Sequence, residues 1–436
     1  MEENQEIEDQ NKVVAASIRS KIKPFPSPRW CIYRVPKKLR TVKEEAYVPQ
    51  IVSIGPFHRG KPTLQAMEDH KNWYLQAFIS RTSSTEYKST LEDLVKAMRE
   101  LETQARECYG EEIDDQFTSN EFVEMMLLDG CFIIELLLRA AGEGVRIPND
   151  RIFGSVWMLF SLQHDLILLE NQIPFFVLER IFSLICRDPE HGDPSLNRLV
   201  LRFFDAMLPK IQVIPQTRSD FSIINKPKHV LDLLRSILLP SSGRMDDAGH
   251  YPVWEFTRCV TDLWEAGVNF KKKEQADGLL DIQFNDKDGI FEIPPFFFDE
   301  STDVILRNLV AMEQCDGTLK PLVTSYVLLL DILINSEKDV RLLCHKKIVQ
   351  CYLGDDEELA VVINNLCKGV SITKFYHDGL CHRCNAYFET KWHKWRAILK
   401  HDYFNTPWAV LSFTAAVILL LLTFLQTLFA ILSYHH

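Results

Sequence analysis

A run of 24 residues near the C-terminus, Ala409 to Leu432, contains no charge and no proline, and only Gln426 in it is strongly polar. A stretch of ~20 apolar residues spans the hydrocarbon core of a bilayer, whereas a long core helix of a globular protein normally keeps a polar face. The sequence therefore predicts one transmembrane helix over 409–432. Lys391, Lys394, Arg396 and Lys400 precede it and only residues 433–436 follow, so the positive-inside rule places residues 1–408 in the cytosol. The expected topology is single-pass and tail-anchored, with the lipid bilayer as one partner; which membrane is not encoded. Trp392, Trp395, Tyr403 and Trp408 suit a headgroup-level belt, and the first two equally suit packing against the preceding domain. The first 25 residues carry no apolar core of a secretory signal.

Upstream of that run the hydrophobic period is helical. Leu64, Met67, Trp73, Tyr74 and Phe78 recur at three- to four-residue intervals, and Ser89 with Glu92 reads as a capping box ahead of Leu91, Leu94, Val95, Met98 and Leu101. A more apolar helix is predicted from about Asn120 to Ala141; apolar on more than one face, it should form the centre of a bundle. Further helices are expected over 151–164, 174–187, 195–209, 228–239, 254–266, 300–315, 321–336 and 356–369. Alternation on both sides of Asp288-Gly289 predicts a β-hairpin near 279–294. Without a run of βα units, a doubly wound sheet is disfavoured. The fold class read from sequence is thus mainly α, a large multi-helix domain over 28–405 with a small β-hairpin, plus one C-terminal transmembrane helix. A flexible acidic segment is expected at 1–27 and flexible loops near 81–88, 188–194 and 240–250, with a short tail at 433–436.

The formal net charge of −11 argues against a nucleic-acid partner, which needs a basic footprint to displace phosphate counterions. The 11 cysteines are odd in number and sit mostly in apolar runs, which favours reduced thiols over a disulfide framework.

Several stretches invite a chemical reading. Gly55-Pro-Phe-His-Arg-Gly60-Lys61-Pro62 comes within one residue of the nucleotide-binding pattern G-x-x-x-x-G-K-[ST]. Pro62 supplies neither the hydroxyl nor the amide that magnesium and phosphate require, and Pro56 removes another amide. An irregular turn leading into a helix near Thr63 is the better reading, and nucleotide binding is not expected. Cys381-His-Arg-Cys384 lacks the second closely spaced pair of a structural zinc site and the βαβ surroundings of a redox motif, so two reduced cysteines on a helix are expected. Asp355 to Glu358 suits a helix N-terminus, where carboxylates face exposed amides, and the cluster from Glu111 to Asp115 lacks diphosphate-site spacing. No serine-hydrolase elbow or zinc-peptidase helix motif occurs.

Two polar islands remain. Asp165, Glu170, Asn171 and Gln172 stand among very apolar residues before Pro174, and Asp129 sits inside the most apolar helix of the body. Buried acids cost several kcal/mol unless paired, so each is expected to find an arginine, a lysine or backbone amides. His58, His70, Asp165, Glu170, Asn171 and Gln172 form the candidate polar or ligand cluster; no catalytic residue, cofactor ligand or metal ligand is assigned.

These same stretches carry a family resemblance. Ile32-Tyr-Arg-Val-Pro36, Tyr47 through His58, Met67-Glu-Asp-His-Lys71, Asp165 through Pro174, Arg307-Asn308, Glu313-Gln-Cys315 and Val323-Thr-Ser-Tyr326 resemble, in order, the plant-specific family known as domain of unknown function 247. The resemblance implies plant origin and a helical body with a C-terminal membrane helix. It implies no established activity, cofactor or catalytic residue; some grass members are associated with self-incompatibility, a recognition role.

The function expected from all this is a non-enzymatic protein-interaction or signalling module facing the cytosol, with an unidentified protein partner and no cofactor. The alternative is a membrane-tethered enzyme whose pocket gathers Asp165, Glu170, Asn171 and His58 or His70.

Overall fold

The computed structural model describes residues 2–21, 29–84, 90–111, 113, 115–143, 149–185, 195–208, 226–240, 256–389 and 407–434. The basic stretch 391–400, Tyr403, the expected loop at 188–194, half of that at 81–88 and most of that at 240–250 lie outside the described residues, as do Ser89, Glu112 and Asp114.

The chain opens with helix α1 (Glu2–Lys21), whose described side chains are exposed. A short helix α2 (Lys37–Arg40) and two 3-10 turns, Glu44–Tyr47 and Pro62–Leu64, lead to α3 (Ala66–Ser84) and α4 (Leu91–Arg106). Helix α4 starts where Thr90 accepts the Asp93 amide at 3.2 Å and Asp93 accepts the Thr90 amide at 2.9 Å. That capping box lies one residue beyond the Ser89–Glu92 pairing expected from sequence. Helix α5 (Ser119–Ala140) starts on a second box, Thr118 with Glu121, each such cap contributing about 1 kcal/mol.

Helix α5 buries almost every side chain from Phe122 to Leu138 and packs against α3, α4, α7 (Phe175–Ser183) and α8 (Leu196–Phe204), which makes it the expected centre of the bundle. A Cβ on Gly130 would come within 2.3 Å of Ile181, so the glycine permits the close α5–α7 crossing. Helix α6 (Val156–Leu166) precedes α7. Two more helices follow, α9 (Val230–Leu238) and α10 (Val260–Glu265).

A second helical group centres on α11 (Glu300–Cys315), packed against α9, α12 (Leu322–Leu333) and α14 (Asp356–Leu366), with α13 (Glu337–His345) beside α10 and α14. Asp355 caps α14 by accepting the Glu358 amide at 2.7 Å, the helix-terminal role read from its acidic run. One contiguous hydrophobic cluster runs through both groups.

The predicted hairpin is present: β2 (Gln283–Asn285) pairs antiparallel with β3 (Ile290–Ile293), Phe284 opposite Phe291. A strand that the sequence reading lacked, β1 (Asn269–Lys272), lies parallel to β3 with Phe270 stacked on Phe291 at 5.3 Å. A second unpredicted pair joins β4 (Phe296–Phe298) in parallel to β5 (Val349–Cys351). Parallel partners so far apart in sequence leave no turn signal for a local reading to detect.

Cys381 and Cys384 are buried on α15 (Asp378–Glu389). Burial pushes the Cys381 thiol up to about 12 and that of Cys384 to about 11, so both stay protonated at neutral pH. Among the described residues no group of three or more histidine, cysteine or acidic side chains could hold a metal ion.

The expectation of a transmembrane helix at 409–432 is corrected. The segment lies in helix α16 (Pro407–Tyr434), but among the described residues no helix is long and apolar enough to cross a membrane. Side chains of α16 are described over 411–427, all exposed. The fold is mainly helical with small sheets.

Candidate functional site

The candidate residues converge on a junction between two irregular segments, the loop 48–61 and the turn 165–174 that links α6 to α7. Backbone in such segments makes few ladder hydrogen bonds, and buried it must find side-chain partners. The turn supplies them. Asp165 Oδ1 accepts the amide of Gln50 at 2.7 Å, and its Oδ2 accepts those of Ile51 and Val52 at 2.7 and 2.8 Å. His164 Nδ1 lies 3.0 Å from Oδ1. Asn171 closes the same junction from the other end: Oδ1 accepts the Ile54 amide at 2.7 Å, while Nδ2 donates to the carbonyls of Val52 and Asp165 at 3.1 and 2.9 Å. Gln172 turns back on its own segment, donating to Leu166 and Leu168 carbonyls at 2.7 and 3.0 Å.

Gly55 is required where loop and turn touch. Its φ of 71° is a left-handed conformation, and a Cβ there would sit 2.5 Å from the Gln172 carbonyl oxygen. Its amide donates to Asp129 Oδ2 at 2.8 Å, which brings the second polar island to the same place. Asp129 Oδ1 accepts from Lys71 Nζ at 2.6 Å, and that ammonium also reaches the Ser53 carbonyl at 2.5 Å and Glu68 at 2.7 Å. Lys71 is fully buried.

Glu170 faces the opposite way. Its Oε1 accepts the Val35 amide at 2.6 Å and an Arg40 N–H, tying the segment before α2 to the turn. Its Oε2 lies 3.3 Å from His58 Nε2 and 3.9 Å from Arg34 Nη1. Oε2 and both His58 ring nitrogens are buried, and none of the three reaches full hydrogen-bond geometry with a partner. Burial drives the His58 pKa below the usual imidazole value, against the pull of Glu170. For Glu170, burial works upward, but His58, the Val35 amide and Arg40 outweigh it and hold the carboxyl below its usual range.

His58, Asp165, Glu170, Asn171 and Gln172 thus share one junction, and His70 does not. His70 Nδ1 lies 3.2 Å from the Ala66 carbonyl on α3, its ring packs on Trp73 at 4.8 Å, and it lines a groove shared with Ile51, Met67, Trp157 and Met158. The residues sequence reasoning missed are Lys71, Arg40, Arg34 and Asn308, whose side-chain amide donates to Ala46 at 2.8 Å while its oxygen accepts the Leu169 amide at 3.0 Å. A signal existed for Lys71: with Met67, Tyr74 and Phe78 it falls on the buried stripe of α3.

Chemically, Asp165, Asn171 and Asp129 are braces. Their acceptor atoms are taken by backbone amides or an ammonium, so they hold two irregular segments against α3 and α5. Glu170, beside Arg34, Arg40 and His58, keeps polar atoms left to engage.

The family model described as plant protein of unknown function matches residues 32–422. The chain is 32% identical to the UPF0481 protein At3g47200 of Arabidopsis thaliana over 431 residues, covering 93% of this chain and 87% of that protein. It is 27% identical to the putative UPF0481 protein At3g02645 of the same plant over 496 residues, 91% of this chain and 89% of the relative. No solved structure matches. A match over nearly the whole chain, reaching from Ile32 through the junction to the C-terminal helix, places this chain in the plant family of unknown function, domain of unknown function 247.

Proposed function

We propose that this chain is a non-enzymatic protein-interaction module whose contact surface is the aromatic face at 153–160. The observation that carries the reading is the exposure of large apolar side chains in one short stretch: Val156 at 74%, Trp157 at 62%, Phe160 at 48% and Phe153 at 38%. Single exposed apolar residues are ordinary, but adjacent ones rich in tryptophan and phenylalanine mark interaction sites, where such side chains anchor the partner. The stretch borders the groove of about 540 Å³ that His70 lines, and Trp73, 47% exposed, extends the aromatic surface.

The non-enzymatic half of the reading is supported by the state of the junction, where Asp165 and Asp129 are spent on structural contacts. The test is affinity capture from plant extract with the full chain, compared with a Trp157→Ser, Phe160→Ser variant of unchanged melting temperature. Proteins enriched by the parent and lost from the variant support the proposal; an identical enriched set from both would sink it.

A further inference from the structure

We propose that Arg34, Arg40, Lys61 and His58 form a binding site for a phosphate monoester, built over the Glu170 carboxylate. Charge balance gives the first reason. Glu170 faces the guanidinium groups of Arg40 and Arg34 together, with neutral His58 beside it, while the other carboxylate on Arg34, that of Glu111 at 2.8 Å, is half exposed. The Lys61 amide donates to the His58 carbonyl at 3.4 Å, which sets this lysine beside the site, and among the described residues it has no carboxylate within ion-pair distance. Burial, with the charges of Arg40 and Arg34, holds its pKa below the usual lysine value against the pull of Glu170. Cations crowded round one acid repel each other, and a bound anion removes that cost.

The second reason is the floor of the site. His58 is 2% exposed with both ring nitrogens unpartnered, and Glu170 Oε2 beside it is also without a hydrogen bond. Buried polar groups are normally satisfied, so His58 Nε2 and Glu170 Oε2, 3.3 Å apart beside Arg34 and Arg40, mark a place where a polar ligand has bonds to make.

The third reason is what the rim can recognise. Two guanidinium groups and an ammonium present more donors than a carboxylate has oxygens, whereas a phosphate monoester offers three terminal oxygens to the forks of Arg34 and Arg40 and the charge of Lys61. Neutral His58 donates one N–H to such an oxygen, and a protonated phosphate oxygen donates to Glu170 Oε2. The Arg34 guanidinium is held in place over the Phe57 ring at 4.4 Å. The site uses side chains only, so the prolines that disqualify Gly55–Pro62 as a nucleotide loop do not count against it. Sequence reasoning took His58 and Glu170 for one cluster but had no means of bringing Arg34 and Arg40 to them.

The experiment is titration calorimetry on the full chain with inorganic phosphate and with glycerol 3-phosphate, potassium chloride holding ionic strength constant. Specific binding is expected, weakened about tenfold or more in Lys61→Gln. Lys61 has no ion pair to lose, so this variant should fold; a melting temperature equal to the parent's checks that it does. Arg34→Gln, read the same way, is expected to weaken binding similarly. Co-sedimentation with phosphatidic acid vesicles, competed by glycerol 3-phosphate, tells a lipid headgroup from a soluble ester: competed sedimentation points to the lipid, and soluble binding without sedimentation to the free ester. Phosphate binding no stronger than that of chloride, or a Lys61→Gln variant that binds like the parent, overturns the proposal.

Discussion

The Nζ of Lys71 lies 2.6 Å from Oδ1 of Asp129, with both side chains fully buried. This pair fixes α3 to α5, and through the Ser53 carbonyl and the Gly55 amide it also fixes the loop 48–61 to both helices. Removing one partner of a buried pair leaves the other charge without compensation, which costs roughly 3–5 kcal/mol. Lys71→Met is therefore expected to lower stability by about that much, and adding Asp129→Asn should recover part of the loss. Urea unfolding of the two variants measures it. A Lys71→Met penalty below ~1 kcal/mol would show that the pair is not what holds the loop.

Gly55 gives a second prediction from the same loop. An alanine there meets a left-handed φ of 71° and a carbonyl oxygen 2.5 Å from its Cβ. The backbone strain alone costs roughly 1–2 kcal/mol, and the clash adds to it. Gly55→Ala should thus be destabilised by more than ~2 kcal/mol, whereas Gly60→Ala, with a φ of 80° and open space around its Cβ, should show the backbone part only. Equal midpoints for the two variants in urea would contradict the assigned clash.

These two cases show where sequence reasoning reached and where it stopped. Helices α5 and α11 were legible because burial is written in local order, as in the apolar runs from Phe122 to Leu138 and from Val304 to Met312. The need of Asp129 and Asp165 for partners was legible too, from the cost of burying a bare carboxylate. Which partners they take was not: Asp165 meets amides more than a hundred residues away, and Lys71 reads as an ordinary helical lysine until its place on the α3 stripe is noticed. The apolar run at 409–432 was the strongest local signal and still gave a spanning helix that the described residues do not provide.

Asn171 should be the least replaceable of the candidate residues. Its amide makes three hydrogen bonds, at 2.7, 2.9 and 3.1 Å, that join the loop to the turn. Asn171→Ala leaves the Ile54 amide and the Val52 carbonyl buried and unpaired, at ~1–3 kcal/mol for each unsatisfied group. Asn171→Asp keeps the acceptor but places a carboxylate against two carbonyls, and is expected to be at least as harmful. Thermal unfolding of both checks the order; an aspartate variant as stable as the parent would refute it.

Stability should fall on acidification in two stages. Burial holds His58 and His229 below the usual imidazole value near 6.5, so below that pH the unfolded chain takes up protons that the native histidines refuse. His229 is fixed neutral by its contacts: Nε2 donates to the Cys31 carbonyl at 3.0 Å, and Nδ1 accepts the Asp232 amide at 3.3 Å. For Glu170, Asp316 and Asp339 burial acts upward, but their hydrogen bonds and ion pairs prevail and the pKa values fall below the usual range. Their contribution is complete above about pH 4 and is lost as pH falls through the folded values. Asp129, pushed up by burial against the pull of Lys71, acts in the opposite sense and softens the acid limb. The midpoint of urea unfolding should decline from pH 6.5 to 5 and more steeply below 4. A midpoint constant between pH 7.5 and 5 would exclude the histidine part.

The last prediction concerns Glu313, which caps a helix it does not belong to. Helix α12 follows Pro321, which offers no side-chain cap, and its first amides need acceptors. Glu313, near the end of α11, supplies them: Oε1 accepts the Val323 amide at 3.1 Å, and Oε2 accepts the Thr324 amide and hydroxyl, each at 2.8 Å. The same carboxylate receives Arg235 through Nε at 2.9 Å and Nη2 at 2.7 Å, joining α9 to the α11–α12 pair. A negative charge at a helix N-terminus is favourable in itself, and here it also neutralises a buried guanidinium. Glu313→Ala strands Arg235 and two amides and should cost roughly 3–5 kcal/mol, while Glu313→Gln keeps an acceptor for the amides and should cost less. Arg235→Lys, which cannot present two N–H groups to one oxygen in the same plane, should fall between them. If Glu313→Ala unfolds within ~1 kcal/mol of the parent in urea, α12 does not depend on this carboxylate.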